Sequence, residues 1–447
     1  MITREIVGYL HGLRELPPEV VDRGRYFLLD YLGCAIAGSR VESSQPVYRA
    51  LAEGPCAVIG TGRTASPLSA ALANGTAAHG VELDDTHNGG SVHLGAVMFP
   101  AALAVAEAHA IEDTGEFFTA VAAGYEMAAR LAMAVQPKHH YGRGFHPTAT
   151  CGVFGAAVTA SKLLRLSEAS MLSAVGIAGS MAAGSLEFLA DGAWTKRLHA
   201  GLAAQNGIHA AQLAHAGFVG PATILEGRSG FLAAYSDAAR PELVTRGLGE
   251  SFAILETSVK PHACCRYKQG PIDALLEISA KHRVDARRIR RVEVAILEAG
   301  AGLIAEPPER KYEPRSIVDA QFSMPFGAAV ALLRGRAALG EYTEANLRDP
   351  DVRALMRKVV MTRDPALEAN FPKEWPARVF VEMETGERYD ASVRHPRGDP
   401  ANPLSWKELG AKFRSLGGTA EIEECVRNLT GLSRLLPLLR MTLEISA

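Results

Sequence analysis

The spacing of apolar residues changes twice along this 447-residue chain, and those two changes limit the possible folds more than any other feature. Up to about residue 255 apolar positions recur at helical intervals, with hardly a convincing strand. Pro17-Pro18 opens a helix through Val20, Val21, Phe27, Leu28, Tyr31, Leu32 and Ile36. Further helices are predicted over 67–82, 96–110, 116–135, 148–166, 167–190 and 196–216, with CAVIG at 56–60 as one short strand. Then Arg290–Leu297, Ala377–Glu384 and Tyr389–Arg394 alternate like strands, the last two joined by the turn Thr385-Gly386-Glu387. Helical patterns at 269–281, 317–333 and 351–359 lie among them, and after HPRGDPANP (395–403) helical spacing returns. The order predicts a mainly α protein, with an α+β domain inserted into an all-α one that holds both chain ends.

Composition narrows the function classes. Hydrophobic residues make up 48% and charged residues 21%, as in a soluble globular protein. Aromatic residues are only 6%, so closely packed helices of small residues are expected. Gly152, Gly155, Gly176, Gly179 and Gly184 fall inside helical patterns. Each costs about 1 kcal/mol relative to alanine, which implies close helix contact or backbone approach to a ligand. Forty-seven basic residues against forty-nine acidic ones give a formal charge of −2 and no basic patch for nucleic acid or an anionic membrane. Six cysteines without a CxxC indicate neither a disulfide framework nor a zinc site. The first residues lack the apolar core of a signal peptide, and no stretch reads as a membrane span, so a cytoplasmic protein is expected.

Titratable residues concentrate in Asn74–Gly95, NGTAAHGVELDDTHNGGSVHLG. Helical spacing would set His79 beside Glu82, and Glu82 beside Thr86. Acid–base work or substrate positioning is one reading of this stretch. A metal site at His79, Glu82, Asp85 and His87 is another. An aspartate-rich magnesium motif would need a second metal motif and an aromatic pocket, which the composition disfavours. The plain alternative is a helix end whose polar groups cap one another.

Three later stretches carry similar chemistry. GRGFHPTAT (142–150) sets His146 before Pro147, a residue suited to the first helical position, so His146 would sit near free N–H groups. DGAWTKRLHAG (191–201) brings Lys196, Arg197 and His199 to the first turns of a helix, where cations oppose the dipole unless an anion intervenes. KPHACCRYKQG (260–270) holds Lys260, His262, Arg266, Tyr267 and Lys268. No Walker-type or dinucleotide glycine loop is present; Gly142-Arg143-Gly144 follows no strand. Cations and acid–base groups without a cofactor motif suit a small polycarboxylate. Removing a proton beside a carboxylate builds negative charge that Lys and Arg can stabilise while a His carries the proton.

Taken in order, HGVELDDTH with His93-Leu94-Gly95, GFHPTAT, DGAWTKRLHAG, KPHACCRY and QFSMPFG (321–327) make the chain strongly resemble the MmgE/PrpD family over nearly its whole length. The resemblance implies an all-α domain of residues 1–264 together with 396–447, and a smaller inserted α+β lid domain of 265–395. It implies a homodimer, a pocket between the domains, and no metal or organic cofactor. Known members dehydrate 2-methylcitrate, decarboxylate cis-aconitate or epimerise iminodisuccinate. By motif position, His93, His146, Lys196 and Lys260 would be catalytic. Glu82, Asp85, Thr86, Arg197, Arg266 and Tyr267 would contact the substrate. Glu82 stands where many relatives have Asp, and HNGGSVHLG departs from their commoner loop. A lyase acting on a di- or tricarboxylate, foremost a 2-methylcitrate dehydratase, is the leading expectation. An imino- or amino-dicarboxylate epimerase and a cis-aconitate decarboxylase are the alternatives.

Overall fold

A computed structural model describes residues 1–429 and 435–445. The chain forms two compact units, Met1–Thr257 with Ser405–Ala447, and Ser258–Leu404. The second begins before residue 265 and ends after 395, so Lys260 belongs to it.

In the first unit, α1 (Pro18–Gly38) starts with Pro18 at its first turn and is buried from Tyr26 to Gly38. The segment 56–60 is one arm of an antiparallel ribbon, β1 (Cys56–Val58) paired with β2 (Arg63–Ala65). The unit is therefore mainly helical with short β-segments, not purely α. Next come α2 (Pro67–Gly80), α3 (Gly95–Ala108), α4 (Thr114–Ala134), α5 (Gly152–Leu163), α6 (Glu168–Gly179) and α7 (Thr195–His215). Side-chain oxygens of Ser66, Asp113 and Ser167 accept backbone N–H groups at the starts of α2, α4 and α6, which fixes where those helices begin. Nearly every residue of α2 and α3 is buried, the signature of helices enclosed on all sides.

Two helices are shorter than their sequence patterns. The stretch 148–166 divides into Pro147–Thr150 and α5. The stretch 167–190 stops at Gly179, and a separate 3-10 turn covers Leu186–Ala190. Gly184 between them adopts φ +152, outside any helix. The glycines within helices serve close contact. A Cβ on Gly155 would fall 2.6 Å from the Gly124 carbonyl oxygen. A Cβ on Gly201 of α7 would fall 2.1 Å from the Leu72 carbonyl oxygen of α2.

The second unit is built on a four-stranded sheet. Its strands are β3 (Ile289–Ile296), β4 (Val359–Arg363), β5 (Ala377–Met383) and β6 (Arg388–Val393), in the order β4-β3-β5-β6. β3 and β4 run parallel with Val292 opposite Val359; the other pairs are antiparallel. Ala377, Val379, Val381 and Met383 point inward while Arg378 and Phe380 face out, which is the period-two pattern. β4 was not expected: the helix predicted over 351–359 ends at Met356, and the chain turns into an edge strand. Gln269–His282 and Met324–Arg334 are the longer helices here. Among the described residues of the whole chain, no helix is long and apolar enough to cross a membrane.

Candidate functional site

α2 ends at Gly80, one residue past His79. The chain then reverses through Glu82, a non-glycine residue at φ +56, and becomes extended at Thr86–His87. HGVELDDTH is thus not a continued helix, and Glu82 and Thr86 are not helical neighbours. The reversal folds Asp84 back onto the end of α2. Asp84 Oδ2 lies 2.7 Å from His79 Nδ1 and 3.2 Å from His93 Nδ1. His93 Nδ1 also donates to the Asp85 carbonyl oxygen at 2.7 Å, with Thr86 Oγ1 at 3.4 Å.

Two further segments complete the cluster within the first unit. Pro147 does open a short helix, with His146 at its N-cap. His146 Nδ1 is 3.1 Å from His199 Nδ1, one turn along α7 from Lys196. The His146 ring stacks on His79 at 5.8 Å between centroids, and His93 meets His79 edge-on at 4.7 Å. Lys196 Nζ lies 3.1 Å from His79 Nε2 and is ion-paired with Glu82. Glu82 therefore supplies the negative charge that cations at the start of α7 require. His79, Glu82, Asp84, Thr86, His93, His146, Lys196 and His199 are all buried.

Burial and neighbouring cations together favour neutral imidazoles. Burial, then Lys196, lowers His79 below its ordinary value against the pull of Asp84. Burial, then His199 and Lys196, holds His146 well down. His199 is pushed down to about 3, by burial first and by His79 and Lys196 next. The arrangement can hold a proton on chosen ring nitrogens and present an ammonium group beside them, in surroundings where a charge acts strongly.

Other expected residues lie elsewhere. The Asp85 carboxylate accepts from the backbone N–H groups of Leu94 and Gly95, at 3.1 and 2.8 Å, and from the Tyr125 hydroxyl at 2.7 Å. It closes the N-terminus of α3. Burial pushes its carboxyl up to about 7 despite those donors. Arg197 donates to Ser43 Oγ at 2.9 Å. His87 Nδ1 accepts from Gly90 N–H at 3.0 Å, fastening its own loop. Asp85 and His87 therefore do not join His79 and Glu82 as one metal set. The nitrogens that do approach within 4.8 Å of one another belong to His79, His93 and His146. Both ring nitrogens of His79 already have partners, Asp84 at Nδ1 and the Lys196 ammonium at Nε2.

In the second unit, Lys260 is fully buried. Arg266 Nη2 donates to Asp399 Oδ2 at 2.8 Å and to Ser258 Oγ at 3.1 Å. Its guanidinium lies 5.0 Å over Trp375, against which Tyr267 also packs. His79, Asp84 and His199 were left out of the expected active site. His199 had a usable signal, since it follows Lys196 by three residues on one helix face. Asp84 had none, because its contact with His79 depends on the reversal at Glu82.

A buried grouping of four histidines, a lysine and two carboxylates, carried by a helical unit, defines a candidate acid–base centre. Residues 4–244 match the MmgE/PrpD N-terminal domain, and residues 262–429 match the MmgE/PrpD C-terminal domain. The chain belongs to the MmgE/PrpD family, and it is an enzyme.

Its relatives include the cis-aconitate decarboxylase of Aspergillus terreus, 29% identical over 471 residues, covering 98% of this chain and 95% of that one. A cis-aconitate decarboxylase-like protein of Aspergillus oryzae is 30% identical over 446 residues, covering 94% and 91%. The human cis-aconitate decarboxylase is 28% identical over 436 residues, covering 93% and 87%.

Proposed function

We propose that this enzyme is a lyase that removes CO₂ from cis-aconitate or a closely similar unsaturated tricarboxylate. The observation that carries the reading is the full-length similarity to cis-aconitate decarboxylases. The grouping of His93, His146 and Lys196 in one buried cluster adds to it. Dehydration of 2-methylcitrate, the leading expectation from sequence, gives way to decarboxylation on that similarity.

The chemistry asks for little beyond charge and a proton. In cis-aconitate the departing carboxylate sits on a CH₂ next to the double bond. As CO₂ leaves, the C–C bonding pair becomes a new terminal C=CH₂. The former π pair moves to the carbon beside the far carboxylate, which takes on enediolate character. That carbon then accepts one proton, so a trianion and a proton yield methylene-succinate and CO₂. Lys196 stabilises the enediolate charge. His93, with Nδ1–H committed to the Asp85 carbonyl, first takes up a second proton from solvent at Nε2. As the imidazolium it delivers that proton to the carbon and returns to the neutral ring. Neutral His146 has one N–H, which it donates to a substrate carboxylate. Thr86 and Glu82 orient the substrate and Lys196. The active species is proposed to be a cytoplasmic homodimer.

Proton NMR in D₂O with cis-aconitate tests the reading. The expected product shows two vinylic protons on one carbon and a single deuterium on the saturated carbon. Turnover of 2-methylcitrate or racemisation of iminodisuccinate, without action on cis-aconitate, would overturn it.

A further inference from the structure

A single oxygen of Asp84 reaches two histidines on different segments, His79 at the end of α2 and His93 just before α3. Through His79 the contact extends to Lys196, whose Nζ is 3.1 Å from the other ring nitrogen. An ammonium group only donates hydrogen bonds, so His79 Nε2 must accept and Nδ1 must carry the hydrogen. Asp84 is the acceptor placed to receive it. The same logic fixes His93, whose Nδ1 faces a carbonyl oxygen at 2.7 Å, an acceptor that demands N–H. Asp84 itself is held from behind. Lys412 donates to the carbonyl oxygen of Leu83, the preceding residue, at 2.7 Å, and to Asp30 Oδ1 at 2.6 Å.

We infer that Asp84 is a positioning residue that holds His79 with its hydrogen on Nδ1, draws the His93 ring to the same oxygen, and through His79 aligns the Lys196 ammonium. One carboxylate thus couples the proton carrier to the charge stabiliser. Glu82, Asp85, Thr86, His146, His199 and Tyr125 also face these groups within the first unit. The inference rests on the proposed proton transfer for its consequence, but not for the tautomers themselves.

The test uses the intact protein with ¹⁵N-labelled histidine, resonances being assigned by His79→Gln and His93→Gln. Long-range ¹H–¹⁵N spectra of the unsubstituted enzyme should show both rings protonated at Nδ1. Protonation at Nε2 of His79 would overturn the inference, whatever the substrate proves to be. In Asp84→Asn the His79 signals should move toward mixed tautomers, while His93 keeps its hydrogen on Nδ1 against the Asp85 carbonyl and changes only in shift. kcat on cis-aconitate should fall about 100-fold with KM nearly unchanged, as expected for loss of an orienting carboxylate. The limb of the pH profile set by the proton-carrying histidine should move to lower pH, because a negative charge is gone. Asp84→Glu should restore part of both. A folded Asp84→Asn enzyme with unchanged histidine spectra and pH profile would overturn the assignment. Failure of the unsubstituted enzyme to act on cis-aconitate would count against the proposed function alone, since the tautomer spectra need no substrate.

Discussion

Lys196 is paired with Glu82 inside the helical unit, and the same ammonium lies 3.1 Å from His79 Nε2. The charge proposed for the enediolate is thus stored beside a carboxylate and an imidazole, both fixed by backbone geometry at the end of α2.

Replacing Lys196 by Met therefore has two effects. Turnover should fall at least about 1,000-fold through lost stabilisation of the developing charge. The fold should also lose up to roughly 3 kcal/mol, because Glu82 loses the ammonium it is paired with while the field of Arg197 remains. The double variant Lys196→Met/Glu82→Gln should recover most of the stability and none of the activity. Steady-state kinetics and denaturant unfolding of both variants measure the two effects separately.

Asp85 closes the start of α3 and satisfies the buried Tyr125 hydroxyl. Asp85→Ala strips partners from three donors at once and should cost about 3 kcal/mol. Asp85→Asn, which keeps an acceptor oxygen, should cost less. Urea titration ranks the two.

Gly201 on α7 touches α2 so closely that an added Cβ would meet the Leu72 carbonyl oxygen at 2.1 Å and Thr76 Oγ1 at 2.5 Å. Gly201→Ala must push apart the helices that carry Lys196 and His79. A stability loss of about 3 kcal/mol and a clear drop in kcat are expected. Gly142→Ala, with nothing within 4 Å of its added Cβ, should leave both unchanged and serves as the control.

Acid should weaken the fold before it titrates most carboxylates. His140 is pushed down to about 4, burial being the main cause, and His199 to about 3. The unfolded chain takes up protons on these residues below about pH 6.5, while the fold keeps them neutral. Their contribution is complete above that pH and is lost as pH falls toward 4, about 2 kcal/mol each at pH 5. His146 has the same sign. Asp85, raised to about 7, has the opposite sign and offsets roughly one histidine. Thermal unfolding at pH 7.5 and pH 5 should show the enzyme less stable at the lower pH.

Apolar patterning located the helices that bear Lys196 and His79, the helix start at His146 and the three longer strands, α2 as a nearly all-buried run and β5 by its alternation. It missed β4, a short edge strand only partly buried, whose alternation is too weak to stand out. It extended α6 by eleven residues to 190, since the apolar pattern continues after the hydrogen-bonded helix has ended at Gly179. Inside the site, residues on helix starts were legible from their motifs. Asp84 was not, because residues five apart in sequence meet only when the chain doubles back, and Glu82 in a left-handed conformation leaves no mark that a glycine would.

Where α7 crosses α2, main chain rests on main chain at Gly75 and Gly201. Backbone atoms, with the Thr76 hydroxyl beside them, set that gap, so rotamer changes of longer side chains do not open or close it. The ammonium and the imidazole on either side are consequently held at a spacing that thermal motion of the surrounding residues leaves alone, and substrate must conform to it.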